Sequence, residues 1–146
     1  MQIEIQIDDK CREPKIIVIT DQMTEEVSEI VKKLSQEQTR TIAGFQDDTV
    51  ELLESDSLFR LYASNGKVFA QTNRGDYQLR LRLYELEQRL DRHSFVRISN
   101  SEIINLKKVK NFDLSLTGTC CVKMKNGRVT YASRRYVSKI KQVLGI

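Results

Sequence analysis

Hydrophobic and polar positions follow three different rhythms along this chain. Ile3, Ile5 and Ile7 alternate with polar residues, the period of a half-buried strand, and after Pro14 the run "IIVIT" at 16 to 20 predicts a second one. Met23, Val27, Ile30, Val31 and Leu34 then fall on one face of a helix over 24 to 36. Asp21 or Thr24 is its expected cap, with the weight on Asp21, and Glu25 and Glu26 suit the positive end of its dipole. Residues 1–44 thus read as a strand-strand-helix extension. So small a piece buries little core alone and is expected to dock on the rest of the chain or on a second copy.

From Thr49 the signals become those of a β-rich domain. Asn65-Gly66 lies between "LFRLYAS" and "KVFAQT", and Asn126-Gly127 between "CCVKMK" and "RVTYAS"; both predict type I′ hairpins. Gly75 and Gly118 mark further turns. Leu83, Leu86 and Leu90 form the stripe of a short core helix, and "FVRISNSEIINLKKVKNFDL" alternates irregularly, as strand and loop. Val137, Ile140 and Leu144 predict a final helix over 134–144, with Ser133 as N-cap and Gly145 as C-cap. No repeat or low-complexity tract interrupts this pattern. The fold class expected is mainly β with short helices, α+β once the extension is counted, in two parts: 1–44 and 45–146.

Composition adds exclusions. With 146 residues, 40% hydrophobic and 30% charged, this is an ordinary globular chain. No apolar run reaches the roughly 18 residues of a membrane span, and "MQIEIQIDDK" lacks the features of a signal peptide, so a cytoplasmic location is expected. Three cysteines, Cys11, Cys120 and Cys121, lack C-x-x-C spacing; neither a disulfide framework nor a metal site is expected, and Cys120 and Cys121 should point to opposite faces of a strand. His93 stands alone in a polar stretch, and no phosphate loop, nucleophile elbow or zinc-binding helix is present. "IIVITDQ" is similar to the opening of a phosphoacceptor receiver domain, but the alternation of strands and helices that such a domain needs does not follow. We therefore expect no enzyme, no cofactor and no small-molecule substrate.

Charge points toward a partner. The net charge is +4, yet residues 100–146 carry ten Lys and Arg against Glu102 and Asp113, a balance of +8. Such a basic segment suits a polyanion. Arg134 and Arg135 are its most unusual members, because they open the last helix at the positive end of its dipole, at a cost of roughly 0.3 to 1 kcal/mol per charge in the first turn. An anion in front of that helix would remove the conflict. Neighbouring carboxylates would be the alternative remedy.

Three motifs in order carry a family resemblance: L-x-x-L-E-x-x-L at 83 to 90, F-V-R-x-x-x-S-x-I-I-N at 95 to 105, and S-R-R-Y-V at 133 to 137. Over residues 45 to 146 the chain resembles the LytTR family of bacterial DNA-binding domains. The resemblance implies an elongated β sandwich of small sheets that inserts loops, and no recognition helix, into successive major grooves of double-stranded DNA. Carried over by position, the contacts come from Asn100 with Ser101, and from Ser133, Arg134 and Arg135. Arg135 is the expected base reader, since a guanidinium donates twice to guanine O6 and N7. Arg134, Ser133 and Lys139 are expected to hold phosphates. A further contact loop falls on "ESDSLFR", where Phe59 and Arg60 are the candidates; Phe59 either meets a thymine methyl or belongs to the core. Ser99 stands where relatives often have histidine, and Asn105 is expected to tie a loop to backbone.

The family reading is a stand-alone transcriptional regulator without a receiver domain, acting on direct repeats, self-associating on DNA, and restrained by a membrane-protein partner. The extension, through an Ile3–Ile7 edge and its helix, is the expected homodimer element. The alternative function is an interaction module that keeps this fold and sequesters a partner without specific DNA binding. RNA binding ranks below both, because five Tyr, five Phe and no Trp form no stacking cluster.

Overall fold

A computed structural model describes residues 1–35, 41–115 and 118–146. The chain divides into two units, Met1–Glu37 and Gln38–Ile146. In the first, helix α1 spans Glu25–Ser35; residue 36, its expected end, lies outside the described residues. Thr24 Oγ1 accepts from Val27 N at 3.3 Å, so Thr24, and not Asp21, caps the helix. The two strands expected before it are absent, since residues 1–20 enter no ladder among the described residues.

The second unit is built on antiparallel strands: β1 (Thr41–Gln46), β2 (Thr49–Glu54), β3 (Arg60–Ser64), β4 (Lys67–Thr72), β5 (Gly75–Leu79), β6 (Phe95–Ser99), β7 (Glu102–Asn105), β8 (Val109–Asp113), β9 (Cys120–Met124) and β10 (Val129–Ala132). Helix α2 (Leu83–Arg89) lies between β5 and β6, and α3 (Arg134–Leu144) ends the chain. Seven strands form one sheet in the order β2-β1-β5-β4-β3-β7-β6, and β10-β9-β8 form another.

Two apolar clusters explain the irregular alternation around β7. Leu58, Leu61, Phe95 and Ile103 pack with Leu83, Leu86 and Leu90 of the α2 region. Their sequence neighbours Phe59, Val96 and Ile104 pack with Ile98, Val122, Met124 and α3's Ile140. Alternate residues of β6 and β7 therefore serve different cores, and all four residues of β7 are buried. Asn105, fully buried, satisfies its amide by donating to Leu58 O at 2.8 Å and accepting from Lys107 N at 3.1 Å.

Several local features differ from expectation. β1 starts at Thr41, inside the stretch assigned above to the extension. Gly44 there resembles a breaker, yet it permits close approach: a Cβ would stand 2.6 Å from Leu53 Cδ1 and 2.9 Å from Tyr77 Cβ. Asn65 and Gly66 both have positive φ, 52° and 76°, as a type I′ turn requires. The second Asn-Gly does not follow: only Gly127 is left-handed, at φ 86°, and its N–H donates to Met124 O at 3.0 Å while Met124 N donates to Arg128 O at 2.8 Å. That is a three-residue loop closed by a glycine bulge. Cys120 and Cys121 are both buried, because Cys121 sits in a central strand opposite Asp113 and Tyr131, whose larger side chains flank it. Burial pushes the Cys120 thiol upward in pKa, away from a reactive thiolate.

Candidate nucleic-acid interface

α3 begins where its sequence predicts, and its start is held by backbone. Ser133 N donates to Ile98 O of β6 at 2.9 Å, and Tyr136 N donates to Ser133 O at 2.9 Å. Ser133 occupies the N-cap position, but its side chain makes no capping bond and the residue is exposed. At the other end Gly145, at φ 74°, closes the helix. Ile140, in the second core, fixes which face of α3 looks inward.

That orientation leaves Arg134 and Arg135 exposed, and neither has a carboxylate within 4.0 Å among the described residues. Neighbouring acids do not relieve the conflict with the dipole. Arg134 lies across Gly118, where a Cβ would stand 3.1 Å from its Nε, and the left-handed φ of 77° at that glycine shapes the facing loop. The Arg135 guanidinium carbon is 5.8 Å from the centre of the Tyr136 ring.

The β6–β7 turn is brought beside this helix start. Tyr136 Oη donates to Asn100 Oδ1 at 3.0 Å, which joins α3's first turn to the turn's exposed tip. Arg97 holds the turn from behind: Nε donates to Ser99 O at 2.9 Å, one terminal nitrogen to Asn100 O at 2.5 Å, and the other to Glu87 Oε2 at 2.9 Å. Ser101 N donates to Ser99 Oγ at 3.2 Å, and Ser101 O accepts from Ala63 N at 2.8 Å. Asn100, Ser101, Ser133, Arg134 and Arg135 therefore belong to one exposed, hydrogen-bonded neighbourhood. Lys139 is tied in at longer range, its Nζ 3.7 Å from Glu87 Oε1, with its side chain half exposed.

Phe59 and Arg60 do not join that neighbourhood. Phe59 is buried in the second core under the Lys108 ammonium, 5.2 Å from its ring centre, so it offers no surface to a thymine methyl. Arg60 forms a buried ion pair with Glu102 at 2.9 Å, and Glu102 accepts a further bond from Thr130 Oγ1 at 2.6 Å. Both point inward because β3 lies between two covered faces. Beside them Tyr62 donates to Asp76, and burial together with that bond raises the pKa of the Tyr62 hydroxyl.

Arg97, Glu87 and Tyr136 have site-building roles that inspection of the sequence missed. A signal existed for Arg97, because an arginine in a run of buried apolar residues must find acceptors. Tyr136 stood within S-R-R-Y-V without an assigned role.

The site is thus an exposed turn and helix start, presented by antiparallel sheets and edged with two arginines that have no carboxylate partner among the described residues. Residues 48–145 match the model of the LytTr DNA-binding domain, and the chain belongs to that family. It is similar along its whole length to proteins of Staphylococcus aureus named uncharacterized HTH-type transcriptional regulators. Those of strains MSSA476 and MW2 are each 31% identical, covering 100% of this chain and 99% of theirs. The protein of strain MRSA252 is 30% identical over the same shares. The fold is also that of a LytTr DNA-binding domain from a Bacillus cereus protein described as a methyl-accepting/DNA response regulator. There the TM-score is 0.71 at 22% identity, covering 73% of this chain and 98% of that one. Among the described residues no two helices form a helix-turn-helix pair, since strands separate α1, α2 and α3. No described helix is long and apolar enough to cross a membrane.

Proposed function

We propose that this protein is a sequence-specific transcriptional regulator that reads direct-repeat promoter sites through the β6–β7 turn and the start of α3. The observation that carries the reading is the Tyr136–Asn100 hydrogen bond of 3.0 Å, which holds an amide reader beside two arginines that have no carboxylate partner among the described residues. Arg135 reads guanine, Asn100 and Ser101 reach the neighbouring base edges, and Arg134 holds phosphate. Ser133, whose side chain makes no capping bond, offers its hydroxyl to a phosphate oxygen. Bound DNA then provides the anion that both the dipole and the arginines require. The regulators named among the relatives add support for a role in transcription.

Amide NMR shifts recorded while duplex DNA is added test the surface. The largest changes are expected at Asn100, Ser101 and Ser133 to Tyr136, with little at β1 and β2. Changes centred on another face would overturn the assignment. Lys139→Gln is expected to weaken all sequences alike, lowering the slope of log affinity against log salt by about 0.9 if one phosphate contact is lost. An unchanged slope would remove Lys139 from the phosphate set.

A further inference from the structure

We propose that the Met1–Glu37 unit is half of a symmetric homodimer element, and that its partner is the same unit of a second copy. Ile3, Ile5 and Ile7 are 90%, 84% and 94% exposed, and Ile16, Ile17 and Ile19 are 72%, 68% and 93% exposed. No described residue of this unit is buried. Among the described residues, none of 1–7 or 14–19 makes a hydrogen bond. Alternating isoleucines and unused backbone groups are together the material of a β-ladder that lacks its other strand.

Two features favour a second copy as that strand's source. The first is register. An antiparallel pairing about a two-fold axis at Ile5 places Ile3 opposite Ile7 and Glu4 opposite Gln6, so apolar meets apolar and no carboxylate faces another. The second is charge along α1, which is acidic in its first turn, at Glu25 and Glu26, and basic in its last, at Lys32 and Lys33. Two such helices related by a two-fold axis perpendicular to them run antiparallel and set each acidic end on the other's basic end. Val31 and Leu34, both exposed, supply the apolar seam between them. Covering these isoleucines and that seam is the apolar gain that association offers.

The unit is an addition to the DNA-binding fold. The Bacillus cereus domain is matched over 98% of its length by 73% of this chain, whereas the staphylococcal relatives match from end to end.

Sedimentation velocity of the full chain, across micromolar concentrations, is expected to give twice the 17.0 kDa of one copy. The double variants Glu25→Lys with Glu26→Lys, and Lys32→Glu with Lys33→Glu, each dissociate at least tenfold more readily when alone. An equimolar mixture of the two regains the dimer, since opposite charges again meet. Ile5→Asp with Ile17→Asp gives a monomer in which the amide NMR shifts of β1 to β10 match those of the parent chain. A wild-type monomer at every concentration, an ill-defined aggregate in place of a dimer, or a mixture that stays monomeric would each overturn the proposal.

Discussion

Arg135→Ala is expected to lower affinity for the cognate site by about 5- to 150-fold, the worth of one bidentate contact to a base. Nonspecific binding should change far less, because a single charge among many is lost. Folding should not suffer. Arg135 is exposed and has no carboxylate partner among the described residues, so the folded state loses only a stack on Tyr136. Removing a positive charge from the first turn of α3 stabilises the helix, by about 0.3 to 1 kcal/mol at most. A binding titration and a thermal melt on the same preparation check both halves. Undiminished affinity, or a collapsed fold, would contradict the role assigned to this residue.

Glu102→Ala is expected to cause the largest loss of stability, about 3 to 5 kcal/mol, because it strands a charge inside the protein. The Arg60 and Glu102 side chains are each only 10% exposed, so water screens the pair weakly. Arg60 Nε already lacks an acceptor among the described residues, and Glu102 is the hub through which Thr130 of β10 meets β3 and β7 of the larger sheet. Against a total stability of about 5 to 15 kcal/mol, such a loss removes a large share of the folded population at elevated temperature. Urea unfolding gives the number. Joint replacement of Arg60 by Met and Glu102 by Leu should recover most of the loss, since no charge is then left buried. A cost below about 1 kcal/mol for Glu102→Ala would mean that water reaches this pair.

These two arginines, Arg60 and Arg135, show where sequence inspection succeeds and where it stops. The α3 arginines were legible because local rules suffice: a helix period, a cap position, a closing glycine and a dipole. The Asn65-Gly66 turn and the leucines of α2 were legible for the same reason. Arg60 and Phe59 were not, since their burial depends on both faces of β3 being covered by elements distant in sequence. Gly44 shows this in reverse, because its need for space comes from Leu53 and Tyr77 across the sheet. At the candidate interface, Asn100 and the arginines were nameable separately, but the bond that joins them runs from Tyr136 to Asn100 across 36 positions of sequence. The isoleucines at the N-terminus carry a strand period that finds no ladder among the described residues.

The central claim is that this chain reads DNA sequence through the β6–β7 turn and the start of α3. Selection of genomic fragments by the purified full-length protein at two salt concentrations tests it most directly, with Arg135→Ala run in parallel. The account predicts enrichment of one motif, repeated in the same orientation, that persists at the higher salt and disappears with Arg135→Ala. Weak, salt-sensitive binding without a common motif, identical for both proteins, would contradict it and leave an interaction module on a LytTr fold.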